Sequence, residues 1–572
     1  MAKLIMPEVR AAAKVRPVDA AWAFALRAGL AVAVPLVVLV AAGRPAWAGV
    51  ATFGAFTALY ARDEPYARRA RVLTFAAVGL LACVFTGTLA ALSPHPEAFG
   101  AAAVALTGGV ATLLCGRFRV GPPGGLMFAF ATAVTSAMPA TPTDLWRHPL
   151  LCGGSAALAW LIAMAGVLVD RDAPMRLAVA RALRAAAALN DTAPTFPTPN
   201  EATANSADRQ QTPGGPAAEQ PPPGTRRSDT PPSPAGLVAR QQAAAAIERA
   251  WRAVPPDRPA EALLVARAET ELSGIHGHSP EAAKALRALA DAVARRGPAP
   301  IAEMRKAETD EVLGRRVYTL LLREPGARRP GPVWPAAARV ALGALAAGAA
   351  AGLLAHVTGL GHPYWAALSA VAVLQADSMR LSLHKAMQRA AGTTIGLFLA
   401  GAAVALPGDH WTLVAAIAIA QVCAELLVVR NYGLAMLAIT PLALLVGELG
   451  RPTPAADLIG DRLVQTLLGC ALGLLAAAMV RNRAAVRHLN EAITAVTAAT
   501  TALRRDPGGP SGEATRVARA LLTLREAYAV ATGEPGLAPD TTERVLATER
   551  EARQSLAKLN RPDANNQTDS PT

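Results

Sequence analysis

Gly361-His362-Pro363-Tyr364-Trp365 opens a stretch, running to Val404, on which the reading of the whole chain turns. It continues apolar to Leu374-Gln375-Ala376-Asp377, turns through Arg380, His384, Lys385 and Arg389, and re-enters apolar sequence at Gly392-Thr393-Thr394-Ile395-Gly396. An aromatic pair at one end of a short apolar segment, a polar clasp at the other and a basic turn describe a membrane hairpin. A soluble amphipathic helix pair would instead repeat its apolar residues at three-and-four spacing.

The composition around this hairpin agrees. The chain has 572 residues, too many for one ordinary domain, with 52% hydrophobic and only 17% charged residues and a positive mean hydropathy. A net charge of +14 raises nucleic acid as a partner. Aromatics are few, however, and the arginines cluster beside apolar runs, as the positive-inside rule requires, so no nucleic-acid partner is expected. Cys83, Cys115, Cys152, Cys423 and Cys470 all fall within apolar segments. Their odd count supports neither a disulfide framework nor a metal site, and they read as small apolar fillers.

Working outward, the first half holds six apolar segments, at roughly 20–42, 46–61, 72–93, 99–116, 122–138 and 150–169. Most approach the ~20 residues that span a ~30 Å hydrocarbon core; 46–61 is short and has to continue into its basic turn. Residues 20–42 exceed the length of a secretory signal core and have a later counterpart, so they read as a retained first membrane helix. The N-terminal tail (1–19), the turns bearing Arg62, Arg68, Arg69, Arg71 and Arg117, Arg119, and the exit at Arg171 and Arg176 lie on one side, against only Arg44 and Arg147 on the other. That imbalance puts the N-terminus in the cytoplasm after six crossings.

From 171 to 335 the chain reads as a helical cytoplasmic domain, with apolar spacing at Ala282, Leu286, Leu289 and Val293. Within it, 191–235 is rich in Pro, Thr, Ser, Gln and Gly, too poor in apolar side chains to order itself. The second half, 336–483, then repeats the first, with segments near 336–358, 363–378, 390–407, 411–429, 432–447 and 463–480. Gly43-Arg44-Pro45-Ala46-Trp47-Ala48 aligns with Gly361-His362-Pro363-Tyr364-Trp365-Ala366 at an offset of 318, which also carries Arg62 onto Arg380 and Arg71 onto Arg389. Arg147 and Gly154 match Arg462 and Gly469 at 315. An even number of crossings returns the second copy to the cytoplasm, making the halves parallel repeats about the membrane normal. Polar-faced cytoplasmic helices and a polar tail fill 484–572. The fold class is all-α: a polytopic membrane protein of about twelve crossings in two six-helix bundles, each followed by a helical cytoplasmic region.

His362-Pro363-Tyr364-Trp365, Leu374-Gln375-Ala376-Asp377 and Arg389-Ala390-Ala391-Gly392-Thr393, set in this twice-repeated plan, resemble the fusaric-acid-resistance-like (FUSC) and aromatic acid exporter family. The resemblance covers roughly 20–170 and 336–483. The first half is a diverged copy, with Leu59-Tyr60-Ala61-Arg62-Asp63 in place of the clasp. More distantly, the plan is similar to plant malate channels, which pair two six-helix halves across a dimer. The family resemblance implies efflux of organic anions across a bacterial inner (plasma) membrane.

The residues supply candidates of their own. Arg27 and Arg339 stand in or at the start of the first helix of each half, where a cation costs about 2.5–3.5 kcal/mol at the centre of a lone helix and turns inward or toward water; snorkelling to the interface is the alternative. With Arg380, Arg389, Thr393, Tyr364 and Trp365 they outline an anion path. Asp377, Glu425 and His362 are the proton-relay candidates. Each has a plainer role: Asp377 and Gln375 can lock the hairpin on Arg380 or Arg389, the aromatics can form an interfacial belt, and Gly392, Thr393 and Gly396 can pack helices. His276-Gly277-His278 is too short a pattern for a metal site. With no Walker loop, zinc-protease helix or nucleophile elbow, neither enzymatic chemistry nor a cofactor is expected.

These readings converge on a transporter, in contact with the lipid bilayer, that exports small organic carboxylates, aromatic ones among the candidates, on an ion gradient. A passive organic-anion channel and a non-transporting envelope or scaffold protein acting through its cytoplasmic helices are the alternatives. A homo-oligomer or accessory subunit stays open, as does the substrate.

Overall fold

The computed structural model describes residues 13, 22–192, 234–255, 257–273, 279–295, 333–376, 378–405, 409–450, 455–479, 483–505, 512–532, 537 and 540–559. Most of the Pro-rich insert, Asp377, the His276–His278 pattern and both terminal tails lie outside them. Every regular element among the described residues is helical.

The first half supplies α1 (Trp22–Ala41), α2 (Ala48–Ala55, flanked by 3-10 turns), α3 (Tyr66–Ala91), α4 (Pro96–Phe118), α5 (Leu126–Ala137), α6 (Asp144–Met164) and its continuation α7 (Gly166–Val169). Next come α8 (Ala173–Thr192), α9 (Pro234–Ala253), α10 (Pro259–Ser273) and α11 (Pro280–Ala294). The second half supplies α12 (Trp334–Thr358), α13 (Tyr364–Leu374), α14 (Met379–Ala405), α15 (His410–Val428), α16 (Tyr432–Gly450) and α17 (Ala455–Met479), followed by α18 (Arg483–Arg505), α19 (Gly512–Ala531) and α20 (Thr541–Leu559).

Two compact units result, one of residues 1–171, 329–490 and 527–537, the other of 172–328, 491–526 and 538–572. In the first, the two halves use the same partners: α3 lies on α5 and α6 as α14 lies on α16 and α17, and α2 packs on α6 as α13 packs on α17. Between the halves the exchange is reciprocal. α1 packs on α15 while α12 packs on α4, and α2 meets α16 while α13 meets α5.

Twelve crossings are expected from the sequence; among the described residues, eight helices are long and apolar enough to cross a membrane. α14, at 27 residues, is long enough, but Arg380, Lys385 and Arg389 occupy its first half. α2, α5 and α13, at 8, 12 and 11 residues, reach only about 12–18 Å at 1.5 Å per residue, against the ~30 Å core. Hydropathy cannot separate a short buried helix from a crossing. α13 is buried from Trp365 to Leu374 without a break, so the opening hairpin is a core helix followed by a long one. The basic turns also belong to helices: α3 begins at Tyr66 and takes in Arg68, Arg69 and Arg71, and its 26 residues exceed the core thickness.

In the second unit, α8 to α11 close on Leu183, Ile247, Leu264, Leu272 and Leu286. α11 starts where Ser279 Oγ accepts the Ala282 N–H at 3.1 Å, with Pro280 at its first position, a favoured start. Glu549 of α20 is 5% exposed and accepts from Arg525 Nε and Nη2 (3.0 and 2.9 Å) and from Arg553 (3.1 Å), with Arg240 of α9 at 3.5 Å. Burial pushes its carboxyl up, but Arg525 and Arg240 outweigh that and hold it below the usual range. Trp251 Nε1 donates to Glu269 Oε2 at 2.9 Å, and Arg553 also reaches Glu269 at 4.0 Å. These charges tie α20 to α9 and α10.

Candidate functional site

α17 enters the first unit with Asp461 and Arg462. Gln465 and Thr466 follow three and four positions on, so they share a face with Arg462. Small residues let that face approach α13: a Cβ at Gly469 would stand 2.2 Å from the Ala366 carbonyl oxygen. The side chain of Arg462 is therefore drawn into the core, 3% exposed, its guanidinium carbon 3.0 Å from the centroid of the Trp365 ring. Its Nε and Nη1 have no acceptor.

Arg389 of α14 is 4% exposed. Its Nε donates to Ser369 Oγ at 3.1 Å and its Nη1 to Tyr432 Oη at 2.9 Å; the Ser369 hydroxyl in turn donates a hydrogen bond to Trp365 O at 2.8 Å. No described carboxylate forms an ion pair with either guanidinium, and Arg389 is near enough for its charge to act on Arg462. The rings of Tyr364 and Trp365 lie 4.8 Å apart at a tilt and Phe130 of α5 approaches Trp365 at 5.8 Å, so this cluster sits where α13 meets the first half. Two like charges in an apolar surround are costly; a bound carboxylate, with two acceptor oxygens matched to planar guanidinium donors, offsets that cost.

Asp461 does not neutralise Arg462, because adjacent helical positions point apart. Its Oδ2 accepts the Gly361 N–H at 3.0 Å and faces His362 Nδ1 at 3.2 Å, while Gln465 Nε2 donates to Gly361 O at 3.4 Å. His362 holds φ +59°, a left-handed conformation uncommon outside glycine. Thus the loop before α13 is fastened to α17 beside Arg462.

The first half shows the same pair without the same chemistry. Arg147 lies over Trp47 at 5.5 Å, with Arg44 at 5.0 Å. Here Asp144 bonds Arg147 at 3.2 Å and Arg147 is 36% exposed.

The other sequence candidates are dispersed. Arg339 is buried and donates to Ala376 O at 3.0 Å, holding the end of α13. Arg27 is half-buried and shares the Ala163 carbonyl with Arg69, each at 3.4 Å. Arg380 is exposed at the start of α14. Thr393 is 1% exposed and its hydroxyl has no partner. Glu425 is 9% exposed on α15, accepting from Gln421 Nε2 at 3.1 Å. Arg389, Tyr364, Trp365 and, beside them on Asp461, His362 are the candidates that come together; Arg462, Tyr432, Ser369 and Asp461 join them unannounced. The only sequence signal for Arg462 is its match to Arg147.

Residues 349–476, which hold Arg389 and Arg462, match the family model described as fusaric acid resistance protein-like. That bears out the family resemblance read from the second half. A protein of Bacillus subtilis (strain 168), described as uncharacterized membrane protein YvaC, is 26% identical over 558 residues, covering 93% of this chain and 84% of that one. No solved structure matches. With eight membrane-competent helices among the described residues, the chain is a multi-pass membrane protein bearing a fusaric acid resistance protein-like segment.

Proposed function

We propose that the protein exports small organic carboxylates, aromatic ones among them, across a bacterial inner membrane, driven by an ion gradient. Arg462 and Arg389 hold the carboxylate, and Trp365, Tyr364 and Tyr432 line the pocket. One observation carries this reading: two arginines lie buried beside aromatic rings with no acid among the described residues to pair them, and one has donors to spare. The twelve apolar segments stand as two parallel six-segment halves with both termini cytoplasmic, the short helices serving as core elements. Glu425 is the carboxylate placed to carry a proton. Arg27, Arg339 and Arg380 act at the cytoplasmic ends, orienting helices and attracting anions.

The test is uptake of benzoate by purified protein in liposomes under a pH gradient. Wild-type protein is expected to give gradient-dependent flux, and Arg462→Gln or Arg389→Gln to reduce it to the rate of empty liposomes. Wild-type flux in both variants would remove the pocket from the mechanism.

A further inference from the structure

Among the described residues of the second half, nine keep buried polar atoms with no hydrogen-bond partner, and five of these share one seam: Arg462 Nε and Nη1, Gln465 Oε1 and Thr466 Oγ1 on α17, Thr393 Oγ1 on α14, and Thr440 Oγ1 on α16. None of the five is more than 3% exposed. Threonines in these helices ordinarily donate back to the carbonyl four residues earlier, as Thr394 does to Ala390 at 2.8 Å and Thr112 to Gly108 at 2.7 Å. In the first half Thr52, Thr88, Thr132 and Thr135 are all satisfied, with Thr57 the exception.

The packing puts the five along one seam. α14 and α17 pair with Gly401 against Ile459, Leu397 with Leu463 and Ala386 with Cys470, an antiparallel register that sets Thr393 level with Thr466. α16 forms the third wall, its Thr440 against Gly396 and its Gly433 and Met436 against Gly392. Arg462 stands four residues before Thr466 on α17, and Arg389 four residues before Thr393 on α14. The α4–α12 contact between the halves is lined by apolar side chains instead, Gly108 and Gly109 packing on Val340 and Ala341. The α1–α15 contact holds a single unpartnered atom, Gln421 Oε1.

A buried polar atom left unsatisfied costs about 1–3 kcal/mol, so five residues carrying them along one seam are retained where water or a polar solute meets them. We propose that the α14–α16–α17 seam is a hydrated permeation route, and that the organic anion crosses inside the second half, past Arg462, Gln465, Thr466, Thr393 and Thr440, not between the halves. The choice of anion as solute rests on the function proposed above; the wetness of the seam does not.

The experiment therefore reads water access directly. Thr393→Cys, Thr440→Cys and Thr466→Cys are placed singly in the full chain with its five cysteines replaced by Ala or Ser, reconstituted, and treated with the anionic reagent 2-sulfonatoethyl methanethiosulfonate. Reaction requires a solvated thiolate, so these positions should label about tenfold or more faster than Ile395→Cys and Phe398→Cys on the exposed face of α14, and than Ala341→Cys between the halves. Labelling no faster than those controls, or labelling at Ala341 alone, would overturn the route. A wet seam without flux of any carboxylate would leave the route standing and defeat the organic-anion reading instead.

Discussion

Arg462 lies over the face of Trp365, its guanidinium carbon 3.0 Å from the ring centroid, and Arg147 repeats that placement over Trp47 at 5.5 Å. The pair is inherited twice and kept for different ends, since Asp144 occupies Arg147 and nothing occupies Arg462 Nε or Nη1. A lysine cannot reproduce a planar stack or a two-pronged grip on a carboxylate. Arg462→Lys is therefore expected to weaken benzoate binding by about tenfold or more, roughly 1.4 kcal/mol, while Arg147→Lys leaves it near wild type. Titration calorimetry in detergent compares the two.

Asp461 fastens Gly361 and His362. Asp461→Asn weakens both contacts, so backbone amides of 359–365 are expected to exchange with deuterium about tenfold faster, and flux to rise if opening of that loop limits it. Unchanged exchange would show that the loop is held by α13 packing alone.

Glu425 has one hydrogen-bond partner, Gln421, and an acid in a membrane helix is a costly residue kept for a task. In Glu425→Gln the shape remains and the proton cannot be carried. Benzoate uptake driven by a pH gradient should then fall to the gradient-free rate, with exchange of internal for external benzoate continuing. Gradient-driven uptake at the wild-type rate would clear Glu425 of coupling.

Much of the architecture is legible in the sequence because the repeated marks are rare residues. Trp47 and Trp365 at an offset of 318, and Arg147 and Arg462 at 315, stand out amid Ala, Leu and Val, and basic clusters bound the apolar runs. The reciprocal pairing of α1 with α15 and α4 with α12 is not legible, since each of these helices is apolar along most of its length and no polar face says which neighbour it takes. Arg462 is missed for a related reason. At the edge of an apolar run an arginine reads as a topological marker; that it turns inward depends on the rotation of α17, fixed by Gly469 and Gly473 against Ala366 and Ala370. Short core helices such as α13 look like crossings because hydropathy records burial without saying in what.

That close approach gives its own expectation. A methyl group at Gly469 would meet backbone at 2.2 Å, which only a shift of α17 relieves. Gly469→Ala is expected to destabilise by about 1–3 kcal/mol, and Gly154→Ala, with open space at its Cβ position, to change little. Thermal unfolding in detergent separates them.

Glu549 sets a pH limit on the second unit. Its carboxyl is held below the ordinary value by Arg525 and Arg240 against the opposing effect of burial, so the folded form binds its proton less readily than the unfolded chain does. The network then contributes fully above the ordinary glutamate value of about 4.3 and is lost as pH falls below it. Proteolysis of α20 is expected to accelerate in that range, and Glu549→Gln to accelerate it already at pH 7, by stranding Arg525 and Arg553.

The cross-pairing of the halves bears on how the protein is made. α1 leaves the ribosome more than three hundred residues before α15, the helix that covers it, and α4 waits in the same way for α12. The first half cannot be finished when its own translation ends. During that interval the inward faces of α1 and α4 meet lipid, which their largely apolar surfaces tolerate, and Arg27, near the start of α1, can reach back to the membrane surface until Ala163 arrives to receive it. The apolarity that hides the pairing from the sequence is thus what keeps the half-made protein safe in the bilayer.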